Sequence, residues 1–268
     1  MTRNSNHDPK STWQIPEGVE KGNWDYINSV SIAEDYDQFL AGNPIHQVDN
    51  FVLDRYLRPT KESQTVIDFG AGTGRTLAPL VERGYYGIAV DLSFSMLRTT
   101  ATHFASKPTV TEPALLKANL VDLEGISDNI ANHGVCMFST LGMIQGQESR
   151  LKFLRHARRI IQQSGYLILH VHNVWFRLRH PSGIFHLTSS LIRSLLTDSE
   201  FGDEKSNYRG LRDIFIHSFR ANELRALLQL AGFEIQDWFG IKERAGQPIR
   251  NPGLRKILNT VGWIVVCQ

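Results

Sequence analysis

Ten consecutive residues, Val66-Ile-Asp-Phe-Gly-Ala-Gly-Thr-Gly-Arg75, leave this chain few ways to fold. Val66, Ile67 and Phe69 read as a buried strand, Gly70, Gly72 and Gly74 as a turn with no obstructing side chains, and Thr76 to Arg83 as the helix that follows. Glycine allows positive φ and close backbone approach to a ligand, while a helix N-terminus offers N–H groups without intrahelical partners. A second apolar run, Tyr86 to Val90, ends at Asp91. An acid there, about 20 residues beyond the glycines, is placed to accept the two hydroxyls of a ribose. The alternative is a plain strand–turn–helix whose glycines only tighten packing, but it leaves the acid unexplained.

The spacing also narrows the choice of nucleoside. A dinucleotide fingerprint, G-x-G-x-x-G/A, would need Gly or Ala at 75, where Arg75 stands. Asp68 precedes the turn, and its carboxylate would repel a pyrophosphate but suits a ligand carrying ammonium and sulfonium groups. On these residues the chain resembles the class I S-adenosylmethionine-dependent methyltransferases: Val66 to Gly74 are similar to their first motif and Asp91 to their ribose-binding acid. The resemblance implies an α/β, Rossmann-like fold, with a seven-stranded, mostly parallel sheet and helices on both faces. It implies S-adenosyl-L-methionine as cofactor, S-adenosyl-L-homocysteine as product, and a cofactor site drawn from Asp68, Gly70, Ala71, Gly72, Gly74, Asp91, Leu92, Met96, Asn119, Leu120 and Ser139.

Further stretches follow the family's order. Asn119 stands where the family places the residue that accepts from the adenine amino group, with Asp122 as the alternative. Phe138 to Met143 resembles the fourth strand and its loop, and Arg158 to Leu169 the helix–glycine–strand unit, with Gln-Ser-Gly165 as the turn. Ser218 to Leu224, with Ala231 to Phe233, is similar to the sixth helix and strand. The resemblance covers about 65–172 and 216–267; each later match is weak alone and informative in sequence.

Length and composition fit one large domain. The 268 residues are 41% hydrophobic and 21% charged, which is ordinary for a globular protein. Residues 1–23 read as a flexible tail and 24–268 as a single domain. Within it, 24–58 holds two helices (Trp24 to Leu40, Pro44 to Leu57) expected over the sheet edge, and 65–172 the cofactor core. Residues 173–219 form an insertion that caps the substrate, and 220–268 the last helix and strands. No apolar run approaches the ~18 residues of a membrane span, the start lacks a secretory pattern, and Cys136 and Cys267 read as buried thiols. A cytoplasmic protein with no membrane partner is expected; the sequence does not give an oligomeric state.

Charge is uneven. From Ser149 to Thr197 there is no Asp or Glu, yet the stretch holds eight Lys or Arg and five of the ten histidines, leaving the rest of the chain net acidic. The polarity suggests an anionic substrate or partner, or merely a solvated helix face. His170 and His172 alternate onto one face of a strand and are the candidate catalytic residues, as base or hydrogen-bond clamp. Packing is the competing role, and a His-x-His metal site the weakest reading; no metal is expected. The leading expectation is therefore methyl transfer to a small acceptor, with the uneven charge pointing to an anionic one. A transferase for the tRNA wobble uridine, which would use Arg177, Arg179 and Arg193 as a phosphate-binding rim, is the alternative. A catalytically inactive cofactor-binding protein comes next, and a nicotinamide oxidoreductase last.

Overall fold

The computed structural model describes residues 15–42, 45–58, 63–107, 111–243, 248–253 and 258–268. Three helices come first: α1 (Lys21–Ile27), α2 (Val30–Leu40) and α3 (Ile45–Tyr56). The expected single helix from Trp24 to Leu40 is two. Ser29 is extended and caps the Ile32 N–H with its hydroxyl, so a new helix starts there. The expected tail also ends earlier than 23. Gly18 packs against Val121 and Ile144, and buried Asn23 donates to the carbonyls of Met143 and Phe215 while accepting the Phe215 N–H. Residues 1–14 lie outside the described residues.

Alternation follows: β1 (Thr65–Phe69), α4 (Leu77–Glu82), β2 (Tyr86–Asp91), α5 (Phe94–Ala105), β3 (Ala114–Lys117), β4 (His133–Cys136), α6 (Thr140–Met143), α7 (Gln147–Ile160) and β5 (Leu167–His172). The insertion holds a 3-10 helix (Val174–Arg179), α8 (Gly183–Leu196) and an antiparallel hairpin of β6 (Asp203–Tyr208) and β7 (Leu211–His217). Its stem is closed by the Val174 N–H on the Phe219 carbonyl and the Phe219 N–H on the His172 carbonyl. The chain ends with α9 (Ala221–Leu230), β8 (Ile235–Lys242), β9 (Ile249–Arg250) and β10 (Thr260–Cys267).

The main sheet runs β3-β2-β1-β4-β5-β10-β8-β9, with β1 to β5 parallel and β10 antiparallel to both neighbours. It has eight strands where seven were expected. The addition is β9, two residues pairing Arg250 with Phe239 at the edge, too short to leave a periodic signal in sequence.

Alternating side chains divide the core. Ile67, Phe69, Leu169 and Trp263 face α7 and α9, whereas Val66, Val135, Ile168 and Ile264 face α3, α4 and α5. Thus α3 covers a face of the sheet through Val48, Val52 and Leu53, not its edge. Helices α1 and α2 pack instead on β7 and α5. Strand order reverses between β1 and β4, and a crevice opens beyond the carboxyl ends of strands at such a switch. No described helix is long and apolar enough to cross a membrane.

Candidate functional site

At the end of β1 the chain turns through Gly70, Gly72 and Gly74, with φ of +81°, +56° and +78°. The amides of Gly70 and Ala71 donate to the Val90 carbonyl at 2.8 and 3.0 Å, holding the turn against β2. The three glycines serve different ends. A Cβ on Gly70 would stand 2.4 Å from Thr140 Cγ2, and one on Gly74 2.8 Å from Thr100 Cγ2. A Cβ on Gly72 would meet nothing within 4 Å, because that position faces a cavity.

The cavity measures about 350 Å³ and lies over the switch point. Its floor and walls include Gly70, Ala71, Gly72, Asp91, Leu92, Met96, Asn119, Leu120 and His172. Asp91 is fixed from two sides: Oδ2 accepts the Gly72 N–H at 2.8 Å, and Oδ1 the Ser93 N–H at 2.7 Å. Burial lifts its pKa, and the Ser93 and Gly72 amides counter that lift. Asn119 points its amide Nδ2 at the Glu17 carbonyl, 2.9 Å away, and its Oδ1 accepts from Val121 N at 3.3 Å. Its amide therefore ties Glu17 to the site, and Oδ1, the atom expected to face an adenine, accepts a backbone N–H. Asp122 is exposed and off the wall.

Four expected site residues do not line the cavity. Gly74 packs against α5. Ser139, buried at φ +65°, accepts the His172 N–H on its Oγ and so joins the end of β4 to β5. Asp68 is buried beneath the turn with Oδ2 lacking a hydrogen-bond partner. Burial, then the neighbouring Asp91, push its pKa up to about 7, against an opposing pull from Arg75. His170 is buried and meets Asp49 of α3, Nδ1 to Oδ1, at 3.1 Å. Of the histidine pair, only His172 reaches the cavity, with ring centroids 6.2 Å apart. Burial, His170 and Arg177 depress its pKa to about 4, so its imidazole is neutral at physiological pH.

Three tyrosines of the lining were not anticipated. Tyr26 and Tyr36 from α1 and α2, and Tyr208 of the hairpin, line the same cavity as the turn. Tyr26 and Tyr36 are hydrogen-bonded, and the rings of Tyr26 and Tyr208 meet edge-on at 6.1 Å. Burial raises all three phenol pKa values, so each keeps its proton. In sequence, Tyr36 looks like any apolar position of an amphipathic helix. Arg75 also lines the wall, stacked over the Phe138 ring at 5.5 Å. None of Arg177, Arg179 and Arg193 does: Arg177 pairs with Glu204, Arg179 bonds Asn259, and Arg193 is exposed on α8.

A second polar cluster secures the insertion. His217 meets Asp203 through Nδ1 and Glu223 through Nε2, each at 2.7 Å, and buried Arg150 pairs with Glu200. Glu200, His217 and Glu223 lie within ligand distance of one another. Both nitrogens of His217 are already bonded to carboxylates, however, and Arg150 supplies the charge that a metal would bring.

A family model described as a methyltransferase domain matches residues 45–237. A malonyl-[acyl-carrier protein] O-methyltransferase of Marinomonas sp. (strain MWYL1) is 26% identical over 215 residues, covering 75% of this chain and 68% of that protein. Among solved structures, the CcbJ methyltransferase from Streptomyces caelestis superimposes with a TM-score of 0.64 at 16% identity, covering 90% of this chain and 98% of its own. The 1,6-didemethyltoxoflavin-N1-methyltransferase of Burkholderia thailandensis, with its substrate and S-adenosylhomocysteine bound, gives 0.57 at 16% identity, covering 91% of this chain and 85% of its own.

Proposed function

The chain belongs to the methyltransferase-domain family, and from that premise we propose that it transfers the methyl group of S-adenosylmethionine to a small acceptor enclosed in its own cavity. The observation that carries this reading is the cavity lining. Tyr26, Tyr36 and Tyr208 line the same cavity as the glycine turn, which favours an acceptor small enough to be enclosed among them.

The residues present fit the cofactor. Asp91 has lone pairs left for ribose hydroxyls after the Gly72 and Ser93 amides are counted. Gly72 leaves open space where any side chain would intrude, and a cationic ligand portion nearby would favour the ionised form of Asp68, whose pKa burial and Asp91 push up to about 7. When bound, S-adenosylmethionine supplies a methyl group on a positively charged sulfur, so its displacement requires alignment more than activation. Holding the reactants in line can remove about 7–11 kcal/mol of the barrier.

His172 is the residue best fitted to handle an acceptor proton. Its neutral imidazole reaches the cavity and can accept a hydrogen bond or a proton, while the protonated phenols donate. Arg75 offers a cationic neighbour to an acceptor carrying a carboxylate or phenolate. The relative that methylates a malonyl group on a carrier is consistent with an acidic acceptor. The tRNA alternative has less support, because the charge of Arg177 is paired with Glu204 within the chain.

Methyl-labelled S-adenosylmethionine, incubated with the protein and a fractionated cell extract, tests the reading. Label in the low-molecular-weight fraction is expected. Label confined to RNA or to macromolecular protein would overturn the small-acceptor assignment.

A further inference from the structure

Helix α8 is amphipathic in an unusual sense: its inner side is small and its outer side is apolar. Gly183, Leu187 and Ser190 seat it on the body of the protein. A Cβ on Gly183 would collide with the Arg177 carbonyl, and the Ser190 hydroxyl accepts the Gly202 N–H at 3.1 Å. Ile184, Phe185, Leu191, Ile192, Leu195 and Leu196 are all exposed, with Phe185 at 72%, Leu195 at 77% and Leu196 at 78%. At about 100° per residue these six side chains fall in one arc of about 140°. Lone exposed apolar residues need no explanation, but a contiguous helical face of six does.

Charge indicates what covers it. Arg193 adjoins the arc on the helix and Arg179 precedes it, both exposed and cationic, with the exposed polar rings of His186 and His180 beside them. No Asp or Glu occurs from Ser149 to Thr197. Nearby acids are largely neutralised, Glu204 by Arg177 and Glu200 by Arg150, leaving Asp198 just past the helix end. An apolar face beside a cationic fringe is the pattern of a helix lying in the interface of an anionic bilayer. Fourteen residues span about 21 Å, less than the ~30 Å hydrocarbon core, so the helix can lie on a membrane but not cross it.

We propose that α8 docks this protein flat on anionic lipid bilayers, its six apolar side chains inserted below the headgroups and Arg193 and His186 among the phosphates. Such docking goes beyond the sequence expectation of no membrane partner, which rested on the lack of a spanning segment. Two other occupants fit less well. A second copy packed symmetrically through this face would bring the two cationic fringes together, and a nucleic acid would gain nothing from the apolar arc.

Flotation with phosphatidylcholine vesicles, with and without phosphatidylserine, tests the proposal, since binding should require the anionic lipid and weaken with salt. Phe185→Ser with Leu195→Ser should reduce vesicle binding by at least about tenfold, and Arg193→Glu by about fivefold. Both variants should bind S-adenosylmethionine like the wild type, which establishes that they are folded. Three results would each overturn the proposal: wild-type protein that ignores anionic vesicles, a dimer that Phe185→Ser/Leu195→Ser converts to monomers, or RNA binding that survives loss of the apolar arc while vesicle binding is absent.

Discussion

The backbone amide of Gly72 donates to Oδ2 of Asp91 at 2.8 Å, so the glycine turn and the acid at the end of the next strand form one unit. The Ser93 amide takes the other carboxylate oxygen. The acid is thus immobilised before any ligand arrives, and its remaining lone pairs are presented to the cavity at little entropic cost.

Asp91→Ala is accordingly expected to weaken S-adenosylmethionine binding by at least tenfold, since a charge-assisted hydrogen bond contributes about 1.5–3 kcal/mol. Calorimetric titration measures this directly. Wild-type affinity in the variant would show that the nucleoside is held elsewhere.

The turn glycines should separate by phenotype. Gly72→Val projects into open space at φ +56°, so it should abolish cofactor binding while costing stability only about 1–3 kcal/mol of backbone strain. Gly74→Ala meets Thr100 and Phe104, and should lower the melting temperature with a smaller direct effect on affinity. A Gly72→Val protein that retains binding would mean the turn does not cradle the ligand.

Asp68 gives a pH prediction of definite sign. Its pKa in the folded protein, about 7, lies above the ordinary 3.8 because of burial and of Asp91. Between those values the folded state holds a proton that the unfolded state has lost, so stability falls as pH rises through this window. Asp68→Asn should therefore gain on the wild type from pH 4 to pH 8, by of order 2–4 kcal/mol across the range. A melting-temperature difference that stays constant with pH would refute this.

The His217 imidazole has a dependence of the same sign, and its partner Glu223 the opposite one. Burial disfavours the imidazolium, but the bonds to Asp203 and Glu223 outweigh it and raise the pKa above 6.5. Its contribution is complete below that unfolded-state value and is lost as pH rises through the folded one. Glu223 is lowered, the bond and charge of His217 outweighing burial, so its contribution holds above 4.5 and is lost as pH falls through the folded value. His217→Ala should cost about 3–5 kcal/mol near pH 6 and less at pH 9, read from denaturant unfolding at each pH. An equal cost at both would exclude the imidazolium.

The strand–turn–helix at 65–82, the acid at 91 and the alternation that makes a parallel sheet were legible in the residues alone. Each rests on local chemistry: glycine at positive φ, an apolar run of period two, a carboxylate at a strand end. The sequence also singled out Asp68, Gly74, Ser139 and His170 without showing that none of the four lines the cavity. A strand position tells which face a side chain takes, but not that α3 brings Asp49 against His170. Only the tertiary structure decided what closes the site. Tyr26, Tyr36 and Tyr208 are distant in sequence and come together because α1 packs on β7, a contact between two non-adjacent segments. The same holds for α8, which lies in the segment read from sequence only as an insertion. The insertion folds so that its small side faces inward, and the apolar stripe is left outside. Periodicity fixes that a helix has two faces; which of them is buried depends on the neighbour it finds.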